Sequence, residues 1–164
     1  MTTPSAIELE PLSTTSVALG AVLPRPALDV VHEYAKALPI EGGGHAIQTG
    51  KRTYRAYWVS GSSLVIVDTE EIEHDSEQGR WSTGAHGSVL SLKSARVEIE
   101  VSGLTEPQAG PDDWRWQRTL KLGLQGHPEP ITLPDPKSLP LDNKGKRDQV
   151  NALLDAVLKV VAQG

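Results

Sequence analysis

The chain has 164 residues, a formal net charge of −5, 38% hydrophobic residues, no Cys and no Phe. This length predicts one domain with its own hydrophobic core. The lack of cysteine excludes disulfides, thiolate metal sites and cysteine nucleophiles. The negative charge gives no general reason to expect binding to nucleic acid or to an anionic membrane, so we consider a nucleic-acid partner unlikely.

The start of the chain does not resemble a secretory signal. Its first eleven residues contain Glu8 and Glu10 and no basic residue, whereas a signal peptide begins with positive charge and an apolar core. No apolar run approaches the length needed to cross a membrane. We therefore expect a cytoplasmic protein without a transmembrane segment.

The first part of the domain predicts a short helix after an N-terminal arm. Residues 1–24 are rich in Thr, Ser and Pro, and we predict one strand in them at about residues 16–23. Four apolar side chains follow at helical spacing before Pro39 ends the pattern: Leu28, Val31, Ala35 and Leu38. We assign residues 1–24 to the arm and residues 25–164 to a single α+β domain.

The middle of the chain predicts antiparallel strands. Residues 54–59, which include Trp58 as a core residue, and residues 64–67 form a hairpin around a Gly/Ser turn. The second run is unbroken, which indicates a strand inside the sheet. Residues 68–87 are acidic and contain several glycines, so we predict a mobile loop there that Trp81 helps to hold in place.

Two further runs alternate between apolar and polar residues, which is typical of strands with one buried face. The first places four residues toward the core: Ala95, Val97, Ile99 and Val101. The second places five residues there, with Arg118 as an interruption: Trp114, Trp116, Leu120, Leu122 and Leu124. We therefore predict that both tryptophans of this run fill the core.

The end of the chain predicts an edge strand and a closing helix. A proline-rich linker has room for a short strand at residues 131–133. From about Lys146, apolar residues recur at amphipathic helical spacing. The predicted fold class is α+β: an antiparallel sheet or partly open barrel closed by a C-terminal amphipathic helix, with a short N-terminal helix.

From about residue 45 to residue 162, this order of elements resembles the pleckstrin-homology superfold. The resemblance is carried by the strands at residues 54–59, 64–67, 95–101 and 114–124 and by the helix over residues 150–161. It implies a binding scaffold that generally has no catalytic activity. In phosphoinositide-binding members a basic motif spans the first hairpin, and Lys51, Arg52 and Arg55 begin such a cluster here.

Candidate sites for chemistry are few. Glu73, His74 and Asp75 are the residues most suited to hold a cation, although a solvated acidic loop explains them as well. An enzymatic alternative is a small hydrolase or metal-dependent enzyme that uses His74 or His86 with nearby carboxylates. No catalytic set converges in the sequence, and no cofactor is expected.

We therefore expect a non-enzymatic protein-interaction module, because an antiparallel sheet with free edges can accept a partner strand. A protein partner or self-association is predicted. The second alternative is phospholipid or nucleic-acid binding through Lys51, Arg52 and Arg55, with Arg115 as a further candidate cation on the outer face of the sheet. Interleaved Trp and Arg at residues 114–118 favour stacking on bases, but their alternation favours the core.

Overall fold

The computed structural model describes residues 14–19, 23–41, 43–105, 108–136 and 144–163. These residues form an α+β fold with antiparallel sheets, as predicted. The helices are α1 (residues 14–19), α2 (Ala27–Ala37) and α3 (Lys144–Gln163). The strands are β1 (Gly44–Gln48), β2 (Tyr54–Ser60), β3 (Ser63–Thr69), β4 (Glu73–Asp75), β5 (Arg80–Ser82), β6 (Ala85–Ser91), β7 (Arg96–Thr105), β8 (Trp114–Gly123) and β9 (Ile131–Leu133).

The strands form two larger sheets and one short ribbon. The four-stranded sheet has the order β1-β2-β3-β6, the three-stranded sheet has the order β7-β8-β9, and β4 pairs with β5 alone. All of these pairings are antiparallel. The inner position of β3 confirms the prediction made from its unbroken apolar run. The prediction of a loop over residues 68–87 is wrong, because this segment contains β4, β5 and the beginning of β6.

Helices α1 and α2 cover one face of the four-stranded sheet. Leu19, Leu28 and Val31 pack there against the strands, with Trp58 as the largest fully buried side chain. Trp58 is fully buried, and its indole N–H donates a hydrogen bond of 2.7 Å to the carbonyl of Leu38 just after α2. The predicted helix and the predicted packing role of Trp58 are both confirmed.

Helix α3 and the three-stranded sheet cover the opposite face. The buried side of α3 consists of Val150, Leu153, Leu154 and Val157, which confirms the amphipathic pattern. These side chains share one core with residues of β2, β3, β8 and β9. Strand β9 has the bounds predicted from sequence and pairs with the inner end of β8. No helix in the described ranges is both long and apolar enough to cross a membrane.

Two features near the N-terminus differ from the predictions. The predicted strand over residues 16–23 is wrong at residues 16–19, which are helical, and residues 20–22 lie outside the described residues. Strand β1 was not predicted, because its first residue ends a run of glycines that is typical of a turn. Gly44 is suited to this position because a Cβ atom there would lie 2.9 Å from the carbonyl oxygen of Ala18 in α1.

Candidate functional site

Among the described residues, the hairpin of β7 and β8 is covered only at its base. Each of its strands has ten residues, but β9 pairs only with Leu120, Lys121 and Leu122 of β8. Leu120 and Leu122 are fully buried under α3 and β9. We call the remaining part, residues 99–105 and 114–118, the distal hairpin. Its side chains have no third strand beside them among the described residues.

One face of the distal hairpin is an exposed apolar surface. Cross-strand pairing brings Gly103 opposite Trp116 and Val101 opposite Arg118, so these residues share a face with Ile99 and Trp114. Trp114 is 49% exposed and Trp116 is 62% exposed, and Ile99 and Val101 are also more than half exposed. The predicted burial of all four residues is therefore wrong. Their alternation continues past the point where the core ends.

The two tryptophan rings stack on each other close to a glycine. Their ring centroids are 5.7 Å apart and their ring planes differ by 27°. A Cβ atom on Gly103 would lie 2.8 Å from Trp116 Cζ3 and 3.1 Å from Trp114 Cε3. A side chain at position 103 would therefore displace both rings from the strand. The glycine therefore leaves room for both aromatic rings on this face of the hairpin.

An ion pair joins the distal hairpin to α3. Arg118 Nη1 donates a hydrogen bond of 2.9 Å to Asp155 Oδ1. This contact explains the cation that interrupts the apolar alternation of β8: Arg118 lies where the covered base meets the uncovered hairpin, so its charge is paired at the margin of the core. The Arg118 guanidinium is therefore already paired with a carboxylate of the same chain.

A polar cluster lies on the face of the four-stranded sheet that α3 covers. Arg55 forms an ion pair with Asp68 on β3 and contacts Asp135 at 3.4 Å. The Tyr57 hydroxyl donates a hydrogen bond of 3.0 Å to Asp135 Oδ2. The hydrogen bond with Asp68 raises the pKa of the Arg55 guanidinium, and burial raises the pKa of Tyr57 to about 12. The cluster therefore holds ion pairs and a neutral phenol.

His45 on β1 adds a buried imidazole to this region. It lies opposite Tyr57 in the sheet and is 6% exposed, and its Nε2 atom has no hydrogen-bond partner among the described residues. Burial lowers the pKa of His45 to about 4, Asp135 opposes this shift and Lys146 adds to it. Sequence reasoning missed this cluster. Strand alternation places Arg55 and Tyr57 on one face, but no pattern marks Asp135 in the proline-rich linker.

The four predicted ligand-binding cations occupy different surroundings. Lys51 and Arg52 are exposed in the connection between β1 and β2. Arg55 is half-buried and paired with carboxylates, and Arg115 lies on β8 in the other large sheet. Their predicted role in binding a ligand stays a prediction.

The predicted metal ligands lie on a solvent-exposed ribbon. Glu73, His74 and Asp75 are consecutive residues of β4, so the imidazole points to the opposite side from the two carboxylates. His74 stacks on Trp81 of β5, with ring centroids 4.1 Å apart, and Trp81 is itself exposed. His86 lies on β6 in the four-stranded sheet. Within the described ranges, no three or more His, Cys, Asp or Glu side chains come together as a metal-binding group.

The chain was compared with protein-family models, with curated proteins and with solved structures, and none of the three comparisons found a significant match.

Proposed function

We propose that this chain is a non-enzymatic protein-interaction module and that the distal hairpin is its binding surface. One observation carries the proposal: five of the eight large hydrophobic side chains that are exposed in the described residues lie on this short hairpin. Four of them share one face of the hairpin, namely Ile99, Val101, Trp114 and Trp116, and the fifth, Leu104, lies on the other face opposite Arg115. Single exposed apolar residues are common on protein surfaces, whereas a contiguous group marks an interaction site.

The energetics of the hairpin support the same proposal. A two-stranded hairpin without a third strand or a packed face is only marginally stable in water. The distal hairpin exposes both of its faces, and its ion pair through Arg118 lies at its inner end. A bound partner would remove the tryptophan rings from water, and tryptophan is among the residues that contribute most to binding free energy.

The order of the elements also supports the resemblance to the pleckstrin-homology superfold, which we retain as a proposal. The four strands of the first sheet are β1, β2, β3 and β6, and the β4–β5 ribbon is inserted before β6. Three paired strands and a closing helix follow them along the chain. A binding scaffold of this kind fits an interaction function without catalysis. The cytoplasmic location expected from the sequence stays a prediction.

A peptide selection tests the proposal. Peptides enriched on the immobilised full chain from a random display library are measured against the wild type, Trp116→Ala and the matched control Trp81→Ala. Trp81 is also a strongly exposed strand tryptophan, but it lies on the β4–β5 ribbon. We expect Trp116→Ala to weaken binding by at least about tenfold and Trp81→Ala to leave it unchanged. Equal effects of the two substitutions would contradict the assignment of the distal hairpin.

A further inference from the structure

The outer edge of β7 is open to another strand. In the part of the chain that the structure describes, β7 pairs with β8 on one side and with no strand on its other side. A strand with a free edge presents backbone N–H and C=O groups that a further strand can bind. Because β7 has ten residues, this edge is long enough to bind an extended peptide through backbone hydrogen bonds.

Over residues 98–101, the side chains along this edge alternate between acidic and apolar, and Arg96 lies on the same face as the two glutamates. Glu98 and Glu100 lie on one face and are exposed, while Ile99 and Val101 lie on the face that carries Trp116. Neither glutamate forms an ion pair with a described residue. In a strand added to β7, the residues directly opposite these side chains would lie about 4.5–5.5 Å away between Cβ atoms.

This arrangement specifies the chemistry of a complementary strand. Residues opposite Glu98 and Glu100 would be basic, because opposite charges across a strand pair are favourable and like charges are unfavourable. Residues opposite Ile99 and Val101 would be apolar and would extend the surface formed by Trp116. Lys121 lies opposite Glu98 on the β8 side, whereas the β8 neighbour of Glu100 is Thr119, so Glu100 is the less compensated carboxylate.

A second copy of the same strand cannot place a cation opposite both glutamates, because Arg96 is the one basic residue of β7. In a two-fold antiparallel pairing centred on Ile99, Glu98 of one copy faces Glu100 of the other, and the symmetry repeats this contact a second time. In the pairing centred on Glu100, this glutamate faces its own equivalent. Charged residues on an edge strand are a common means of preventing such self-pairing. A separate chain with basic residues avoids the repulsion.

We infer that the outer edge of β7 binds an extended peptide in which basic residues alternate with apolar residues. The peptide adds a strand beside β7, with its basic side chains facing Glu98 and Glu100 and its apolar side chains packing beside Ile99 and Val101. The inference rests on the proposed function, because it specifies the partner of the same hairpin.

Fluorescence polarisation with labelled synthetic peptides tests this inference on the full chain. The probes are an alternating Val-Lys peptide, an alternating Val-Glu peptide and a Val-Lys peptide with prolines in place of alternate valines. We expect the first to bind at least about tenfold more tightly than the other two. The prolines remove backbone donors and prevent strand addition.

Charge variants distinguish the edge from a general attraction to a negatively charged protein. The double variant Glu98→Lys, Glu100→Lys is expected to prefer the Val-Glu peptide. The double variant Glu98→Gln, Glu100→Gln is expected to lose the preference for the Val-Lys peptide without reversing it. Glu73→Lys, on the exposed strand β4, is the matched control and is expected to keep the wild-type preference. Circular dichroism confirms that each variant is folded.

Several results would overturn the inference. One is equal binding of the Val-Lys and proline-containing peptides, and another is loss of binding in Glu73→Lys comparable to that in the double variants. A wild-type dimer that dissociates when Glu98 and Glu100 are replaced would assign the edge to a second copy. Display-selected peptides that require Trp116 but lack basic residues would overturn this inference and leave the proposed function standing.

Discussion

Protonation of one buried histidine is expected to make the stability of this fold depend on pH. His45 is 6% exposed, and its Nε2 atom has no hydrogen-bond partner among the described residues. Burial lowers its pKa from 6.5 to about 4, with Asp135 opposing and Lys146 adding to the shift. The native state therefore holds this imidazole neutral at pH values at which the unfolded chain protonates it.

The sign and size of the effect follow from proton linkage. Because the unfolded state binds the proton more tightly, the free energy of unfolding decreases as the pH falls from 6.5 toward 4. Above about pH 7.5 the imidazole is neutral in both states and contributes no pH dependence. Between about pH 7.5 and about pH 5, this one group is expected to reduce the free energy of unfolding by about 2 kcal/mol.

Urea unfolding followed by tryptophan fluorescence at several pH values in this range measures the effect. His45→Gln and His45→Leu remove the titrating group in two ways, and both are expected to lose most of the pH-dependent decrease. His86→Gln is the control, because His86 is exposed on β6, and it should retain the wild-type decrease. A decrease of the same size in the wild type and in both His45 variants would refute the reasoning.

Two further substitutions test other parts of the structure. Tyr57→Phe removes the hydroxyl that donates a hydrogen bond to the buried carboxylate of Asp135. We expect it to lower the free energy of unfolding, measured by urea titration, by about 1–3 kcal/mol. Tyr54→Phe is the control, and an equally small change in both variants would contradict this role. Gly103→Ala places a methyl group against both tryptophan rings and is expected to alter the near-ultraviolet circular dichroism while changing stability by less than about 1 kcal/mol. Gly110→Ala is the control, because a Cβ atom there meets nothing within 4 Å, and it should leave the spectrum unchanged. An unchanged spectrum in Gly103→Ala would show that the position of the rings does not depend on Gly103.

Much of the architecture follows from local patterns. Apolar residues at helical spacing predict α2 and α3, and runs of β-branched and aromatic residues predict β2, β3, β7 and β8. Strand β9 follows from a short apolar run between prolines. These elements were predictable because their apolar runs and repeats are visible within a few turns or strand residues.

The sequence predicted which residues of the candidate site share a face, but not whether that face is exposed. Alternation correctly places Trp114, Trp116 and Val101 on one face of the hairpin, but it led to the wrong prediction that this face is buried. A repeat of two residues defines the faces of a strand, not the length over which another element covers them. In the described part of the chain, the cover comes from β9 and α3, which follow later in the sequence and reach only the base of the hairpin.

The polar cluster illustrates the same division between local and tertiary information. The side of β2 that carries Arg55 and Tyr57 is visible in the amino-acid pattern, because successive strand residues point to opposite faces. The neighbours of these residues are not visible, since Asp135 is 78 positions away from Tyr57 and meets it only when β9 joins the three-stranded sheet. The fold class and the faces of the elements thus depend on short-range periodicity. The uncovered tryptophan surface and the buried histidine depend on how distant segments pack.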